Sequence, residues 1–256
     1  MSPALTLPEL HKALASYIPA IVTRRLSGDP TPLRHPQSEV VSAAVLFADV
    51  SGYTALTEAL ARQGPAGVEK VAAGLNGYFG RLIDITEAHG GDVVKFAGDA
   101  LTAVWVADDG LADAAAAAVA CGLAIQAALH ACPIDDGVEL SLRIGVSAGR
   151  IALIHVGGLG GRWELVLAGR AIEAVRLAEG LARPGEVVTG PRVAALLGER
   201  LSGEARGDAG HRRALALARP VAPQPLVRPA LADAADEALR GYVPLAVTTR
   251  LAAGQS

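Results

Sequence analysis

The sequence is poor in aromatic residues and cysteine, and it contains no concentration of basic charge. Aromatic residues make up 4% of the 256 residues while 51% are hydrophobic, so a core must be built mainly from Ala, Val, Leu and Ile. With 23 Lys and Arg against 26 Asp and Glu, no basic block is present that would bind a nucleic-acid backbone. Cys121 and Cys132 fall in a segment predicted as helix, and reduced thiols of a cytoplasmic protein are expected.

No secretory signal is expected, because the first residues have no charged start followed by an apolar run. Residues 114–134 carry no formal charge if His130 is neutral, and they are about long enough to span a bilayer. The segment is dominated by alanine, however, whereas lipid-facing helices are richer in Leu, Ile and Phe. We therefore expect a helix packed on a sheet, and no membrane partner.

Apolar runs and turn signals predict an α+β fold with a ferredoxin-like β-α-β-β-α-β order followed by one more α-β unit. An N-terminal helix over 8–26 and a Pro-rich linker occupy residues 1–38, and the main domain covers 39–200. Residues 201–256 are predicted as an irregular Pro-rich arm plus a helix. The predicted main-domain strands are 43–47, 92–96, 101–106, 138–154, 165–168 and 186–189, and the helices are 54–89, 111–131 and 169–182.

Residues 17–26 recur as residues 242–251, with Tyr, Pro, Val, Thr, Arg and Leu identical at a constant offset. The first copy stands just before the first strand of the main domain. The second copy therefore predicts that another, similar domain begins next. Chance similarity of two amphipathic helices is the alternative.

Two aspartates follow apolar strands at turns. Asp49 lies in F-A-D-V-S-G-Y-T at 47–54, and Asp99 lies in K-F-A-G-D-A at 95–100. If the strands are neighbours, the two carboxylates converge on one point, which suits Mg²⁺ shared with substrate phosphates. The segment between strand and helix offers backbone N–H groups for a triphosphate; its residues are Ser51, Gly52, Tyr53 and Thr54. For either aspartate alone, a helix cap or a turn residue is the competing interpretation.

Together these segments resemble the class III adenylyl and guanylyl cyclases over residues 43–189, and most closely the first catalytic half of bicarbonate-responsive soluble adenylyl cyclases. The resemblance implies a cyclase homology domain that converts ATP to cyclic AMP and pyrophosphate. It implies that Asp49, Asp99 and the backbone of Val50 bind two Mg²⁺ or Mn²⁺ ions. It also implies a second cyclase half as partner, in the same or another chain.

The resemblance extends to four further residues and an anion. Arg150 matches a phosphate-binding arginine of some first halves, although a solvated arginine at a strand end explains it equally well. Lys95 matches two family positions. It matches the lysine that reads the adenine base in homodimeric cyclases, and it matches a lysine of the bicarbonate site in the responsive branch, where Arg176 would be its partner and Leu167 would line the pocket. A helical salt bridge from Arg176 to Glu173 or Glu179 is the alternative.

The chain departs from the active family pattern G-D-x-V-N-x-A-x-R. Arg170 stands at the Asp position, Glu173 at the Asn position, and Arg176 comes one residue early. The transition-state residues are thus absent, and the isolated chain is expected to be inactive or very weak. Two competing hypotheses are an incomplete nucleotide- or bicarbonate-sensing regulatory domain and a pure dimerisation domain.

Overall fold

Helices and strands alternate along the computed structural model, which describes residues 7–51, 72–108, 110–135 and 138–252. The helices are α1 (Leu7–Ala15), α2 (Ala20–Gly28), α3 (72–88), α4 (Leu111–Leu129), α5 (Arg170–Gly180), α6 (Pro191–Leu197), α7 (Asp236–Tyr242) and α8 (Leu245–Ala252). The strands are β1 (Gln37–Ser51), β2 (Asp92–Ala97), β3 (Ala100–Val106), β4 (Cys132–Asp135), β5 (Val138–Gly157), β6 (Trp163–Ala168), β7 (Val187–Thr189), β8 (Leu201–Arg206) and β9 (His211–Leu217). The predicted α+β class is confirmed.

The chain divides into two compact units. Unit one comprises Met1–Val40, Ala152–Ala168 and Val227–Ser256, and unit two comprises Val41–Ile151 and Gly169–Leu226. The long strands β1 and β5 each contribute residues to both units. The predicted boundaries at residues 38 and 200 stay a prediction.

Unit two is built on a sheet with the strand order β2-β3-β1-β5-β7-β9-β8. Strand β3 runs antiparallel to both β1 and β2, while β7 runs parallel to β5. Parallel neighbours need a crossover connection, and α5 lies in the chain between β5 and β7. This order places the ends of β1 and of the β2–β3 hairpin side by side.

Helix α4 supplies much of the core of unit two. Its buried side chains include Val119, Ile125 and Leu129, and they join sheet residues such as Leu101 and Leu142 in one apolar cluster. By length and composition the helix could cross a membrane, but the small residues that set its hydropathy allow close packing on the sheet. The predicted helix-on-sheet packing is confirmed.

Unit one contains the four helices α1, α2, α7 and α8 and a β-hairpin. The hairpin is the end of β5 paired antiparallel with β6, from Ala152 opposite Ala168 to Gly157 opposite Trp163. This unit holds both copies of the sequence repeat.

Three local predictions were wrong. The helix expected over 8–26 is two helices, because Pro19 lacks the N–H that a continuous helix needs and lies in an extended conformation. Residues 201–217 form the hairpin β8–β9. They were predicted as irregular because their small and charged residues obscure the apolar pattern of a strand. Cys132 begins β4 and lies outside the helix, and both cysteines are free thiols.

Candidate functional site

Asp49 and Asp99 lie at adjacent positions at one end of the unit-two sheet. In the β1–β3 register Asp49 is directly opposite Ala100. Asp99 precedes Ala100 in the turn after β2, where Gly98 has a φ of +67°. That conformation favours glycine, so the turn sequence helps to hold Asp99 beside the end of β1. The structure thus brings the two predicted aspartates together.

Arg143 of β5 completes this cluster, which we call the Asp49 cluster: Asp49, Asp99, Arg143 and Glu179. The Arg143 guanidinium donates a hydrogen bond to Asp49 Oδ2, and its Nη2 is 3.2 Å from Glu179 Oε1. The hydrogen bond to Asp49 and the charges of Glu179, Asp49 and Asp99 together raise the pKa of Arg143, against the effect of burial. The predictions missed Arg143, although a lone charge in the apolar strand L-S-L-R-I-G-V was a signal.

Glu179 is held in place by close packing of α5 on β5. A Cβ on Gly145 would lie 2.3 Å from Val175 O and 2.5 Å from Glu179 N, so only glycine allows this contact. Glu179 is 8% exposed. Burial raises the pKa of its carboxyl group, Arg143 opposes that rise and Asp49 adds to it. Glu179 therefore depends on Arg143 as a partner.

The Asp49 cluster has the chemistry of a site for a hard cation. Among the described residues, no group of three or more His, Cys, Asp and Glu is arranged to hold a metal. The site therefore offers two carboxylates and would need oxygens from water or substrate, as Mg²⁺ sites in phosphate-handling proteins do. The Arg143 guanidinium on Asp49 shows that a positive charge already fits there. Val50 follows in β1 with a buried side chain, and its role as a backbone ligand stays a prediction.

The structure describes two of the other predicted substrate-binding residues. Ser51 is half-buried at the end of β1, and Arg150 is exposed on β5. Gly52, Tyr53 and Thr54 lie outside the described residues. The triphosphate cradle therefore stays a prediction.

Lys95 and Arg176 share one face of the sheet. Lys95 pairs with Thr102, and Thr102 pairs with Phe47, so the three side chains form one row across β2, β3 and β1. Arg176 of α5 lies over the Phe47 ring, with its Cζ 4.9 Å from the ring centroid. Both cationic residues are exposed. Leu167 pairs with Leu153 in unit one, and its place in an anion pocket stays a prediction.

The three residues that differ from the active family pattern lie on an exposed face of α5. Arg170 and Glu173 are exposed, and Leu177 is 65% exposed. Leu177 is the residue that aligns with the arginine of the pattern. The spacing of three and four residues puts all three on one side of the helix, away from the buried positions Ala171, Val175 and Ala178.

Comparisons with known proteins agree with this architecture. The family model "Adenylate and Guanylate cyclase catalytic domain" matches residues 35–210. Adenylate cyclase type 10 of Rattus norvegicus is 32% identical over 181 residues, which cover 70% of this chain and 11% of that protein. The match thus spans about a tenth of the length of the adenylate cyclase type 10 proteins.

Two solved structures show the same fold. The adenylyl cyclase CyaB from P. aeruginosa has a TM-score of 0.57 at 19% identity, covering 73% of this chain and 99% of that one. The catalytic core of a rhodopsin-guanylyl cyclase with converted specificity, in complex with ATPalphaS, has a TM-score of 0.59 at 20% identity. It covers 70% of this chain and 98% of that one.

Proposed function

Because this chain belongs to the family of adenylate and guanylate cyclase catalytic domains, we propose that it is the metal-binding half of an adenylyl cyclase. The observation that carries the proposal is the Asp49 cluster, with two carboxylates at adjacent positions of the sheet and a cationic side chain between them and Glu179. The similarity to adenylate cyclase type 10 supports ATP as the substrate. The reaction is attack of the ribose 3′-hydroxyl on the α-phosphate, with release of pyrophosphate.

In this proposal Asp49 and Asp99 hold Mg²⁺ or Mn²⁺, with the Val50 carbonyl as a further ligand. When bound, two such ions lower the pKa of the attacking hydroxyl and neutralise charge on the phosphates. If an ion took the place of the Arg143 guanidinium on Asp49, that guanidinium would be available to Glu179 or to the triphosphate. Arg150, exposed on β5, would also contact the phosphates, because it matches a phosphate-binding arginine of some first halves.

The proposal requires a second cyclase half. Arg170, Glu173 and Leu177 stand where active halves have Asp, Asn and Arg, so this chain lacks the donors that stabilise charge in the transition state. A partner domain that carries the full G-D-x-V-N-x-A-x-R pattern would supply them.

Reconstitution with such a partner half tests the proposal. Mixed with Mn²⁺ and ATP, the two halves are expected to form cyclic AMP, and Asp49→Asn or Asp99→Asn should reduce the rate by 10²-fold or more, on the order of losing a main electrostatic contribution. Asp113→Asn is the matched control, because Asp113 is exposed on α4 and pairs with Arg200. Equal rates for all three variants would contradict the proposal.

A second candidate function is a regulatory domain that senses a small anion. The observation in its favour is that Lys95 and Arg176 are exposed on the same sheet face, with Arg176 over Phe47 and Lys95 in the same row of side chains as Phe47. Two cations suit a small oxyanion such as bicarbonate. Calorimetric titration separates the candidates. Bicarbonate binding that is lost in Lys95→Met, without metal-dependent binding of an ATP analogue, would favour the regulatory function.

A further inference from the structure

The two copies of the sequence repeat are also structural copies. In each, a short helix ends before a proline and a second helix begins after it: α1–Pro19–α2 and α7–Pro244–α8. Their hydrogen bonds correspond at the same sequence offset. The matching contacts are Val22 N and Thr23 N to Pro19 O (3.0 and 3.3 Å), Val247 N and Thr248 N to Pro244 O (3.0 and 3.1 Å), Thr23 Oγ1 to Ala20 O (2.9 Å) and Thr248 Oγ1 to Leu245 O (2.8 Å). Chance similarity of two helices does not explain this correspondence.

The two copies pack against each other with an approximate two-fold relation. His11 and Asp236 occupy equivalent positions in the copies, and His11 Nε2 lies 3.1 Å from Asp236 Oδ1. Helix α1 contacts α7, and the reciprocal pairs α1–α8 and α2–α7 are both in contact. A contact between equivalent residues is the mark of an axis that relates one copy to the other.

The second copy carries the β5–β6 hairpin. Arg162 next to the hairpin strand β6 donates hydrogen bonds to Arg240 O, at 3.0 Å, and to Val243 O. On the same side, Tyr242 Oη is 2.8 Å from Nδ1 of His155, which is 3% exposed. Burial lowers the pKa of His155, and the charge of Arg25 lowers it further. Burial raises the pKa of Tyr242, and the charge of Arg25 opposes that rise. Tyr242, His155 and Arg25 therefore form one cluster.

The first copy has two equivalent backbone carbonyl groups, and a different arginine donates hydrogen bonds to them. Its equivalent carbonyls are those of Ala15 and Ile18, and they accept hydrogen bonds from Arg228 Nη1 at 3.5 and 2.8 Å. A guanidinium thus satisfies the end of the first helix in both copies. In the first copy, however, the arginine comes from the Pro-rich arm instead of from a β-hairpin.

The remaining members of the cluster are exposed in the first copy. Tyr17, the counterpart of Tyr242, is 53% exposed, and Arg250, the counterpart of Arg25, is exposed as well. By the two-fold relation, Tyr17 corresponds to Tyr242 and Arg250 corresponds to Arg25. No residue that the structure describes corresponds to His155. We call Ser16, Tyr17 and Arg250 the Tyr17 surface.

We propose that the Tyr17 surface receives the β5–β6 hairpin of a second cyclase-type domain, in the same way that α7 receives the hairpin of this one. The occupant follows from the repeat: the same helix pair binds the same kind of hairpin, and the incoming strand presents a hydrogen-bonding side chain to Tyr17 beside Arg250. This inference rests on the proposed function, because it assigns a docking surface to the second half.

One difference between the copies affects how closely a hairpin can approach. A Cβ on Gly241 would lie 2.9 Å from Gly161 O, whereas the first copy has Ser16 at the equivalent position. The incoming hairpin must therefore sit slightly further from α1 than β5–β6 sits from α7.

Photo-crosslinking in the protein expressed from its complete gene tests the proposal. We would replace Tyr17 with p-benzoylphenylalanine, irradiate, and map the crosslinked peptides by mass spectrometry. The expected product joins position 17 to the segment of a second cyclase-type domain that aligns with Ala152–Ala168. The matched control places the same probe at Tyr242, where crosslinks to residues 152–157 of this domain are expected. Crosslinks at position 17 that stay within residues 1–256, or none while the control reacts, would overturn the proposal.

The outcome is separable from that of the proposed function. A hairpin crosslink in a protein that forms no cyclic nucleotide leaves the docking surface intact and contradicts only the enzymatic assignment. Cyclic AMP formation without the crosslink contradicts only the docking surface. Tyr17→Ala gives a second readout: it should weaken association of the two halves at least several-fold, whereas Lys12→Ala, an exposed change on α1, should not.

Discussion

At the scale of single residues, Arg143 gives the candidate site its charge balance. Its guanidinium neutralises Asp49 and lies 3.2 Å from the buried carboxyl group of Glu179. An ion that binds Asp49 competes with this internal cation for the carboxylate. Metal affinity and the Arg143 contact are therefore opposed.

We predict that Arg143→Met strengthens Mn²⁺ binding by up to about tenfold, equivalent to about 1.4 kcal/mol, because Asp49 no longer has a competing partner. Titration calorimetry without nucleotide measures this affinity. Arg192→Met, an exposed change on α6, is the control and should leave it unchanged. A weaker affinity in Arg143→Met would mean that Arg143 positions Asp49 for the metal and does not compete with it.

Glu186 provides a pH-dependent contribution to stability. Burial alone would raise its pKa, but hydrogen bonds from Arg206 and from the Arg183 backbone amide, with the charge of Arg213, bring the pKa below the ordinary 4.5. A carboxyl group with a lowered folded-state pKa stabilises the fold above its unfolded-state pKa, and the contribution disappears as the pH falls.

Glu186→Gln should therefore lower the free energy of unfolding by about 1–3 kcal/mol at neutral pH. The difference from the unchanged protein should shrink as the pH falls below 4.5, the ordinary glutamate value. Urea denaturation across pH 3–7 measures it, within the range where carboxyl groups titrate. Glu199→Gln, on an exposed turn, should show no such difference; a pH-independent loss in Glu186→Gln would contradict the assignment.

The site residues that could be predicted from the sequence lie in local patterns, whereas the residues that were missed contact partners far away in the sequence. Asp49 and Asp99 each sit in a local strand-turn pattern that can be recognised in isolation. Arg143 meets Asp49 across 94 positions of sequence, and Glu179 reaches them only because α5 packs on β5. The lone charge in the apolar strand marks Arg143 as unusual, but a single sequence does not show which distant residue Arg143 contacts.

At the scale of elements, Gly145 decides how closely α5 packs on β5. Its missing Cβ leaves room for the backbone of Val175 and Glu179. Gly145→Ala should cost about 1–3 kcal/mol of stability through overpacking, measurable by urea denaturation. Gly149→Ala on the same strand is the control, since its Cβ would meet Ala171 Cβ at an ordinary 3.4 Å. Equal stabilities of the two variants would show that α5 shifts without cost.

Element boundaries followed from the sequence wherever apolar runs met clear turn residues. Strands β2, β3 and β6 and helix α4 lie close to their predicted limits. Pro19 was inside a predicted helix because its flanking residues keep helical periodicity. The β8–β9 hairpin was missed because its strands carry Ser, Glu, Arg and Ala instead of large apolar residues, and it is stabilised by pairing with β7.

At the scale of the whole molecule, the proposed division of the active site between two halves can be tested through protein concentration. If the proposal is right, two identical copies of this chain both lack the transition-state residues, so cyclic AMP formation by the isolated chain should not rise with the square of its concentration. The triple variant Arg170→Asp, Glu173→Asn, Leu177→Arg restores the pattern on α5. We expect it to exceed the unaltered chain by on the order of 10²-fold, since single transition-state donors are worth about that much.

A radiometric or immunochemical assay of cyclic AMP at several protein concentrations checks this prediction. The control combines the triple variant with Asp99→Asn, which should remove the gain. No gain in the triple variant, when its fold and metal binding are intact, would mean that residues elsewhere also disable the second half-site.

The two faces of α5 have an evolutionary consequence. Its inner face is fixed by the contact at Gly145, whereas Arg170, Glu173 and Leu177 face solvent and take little part in folding. Substitutions at those three positions are therefore close to neutral for stability. A duplicated domain could lose one set of catalytic groups, or regain it, through surface changes alone, so a division of labour between two halves needs no passage through a misfolded ancestor.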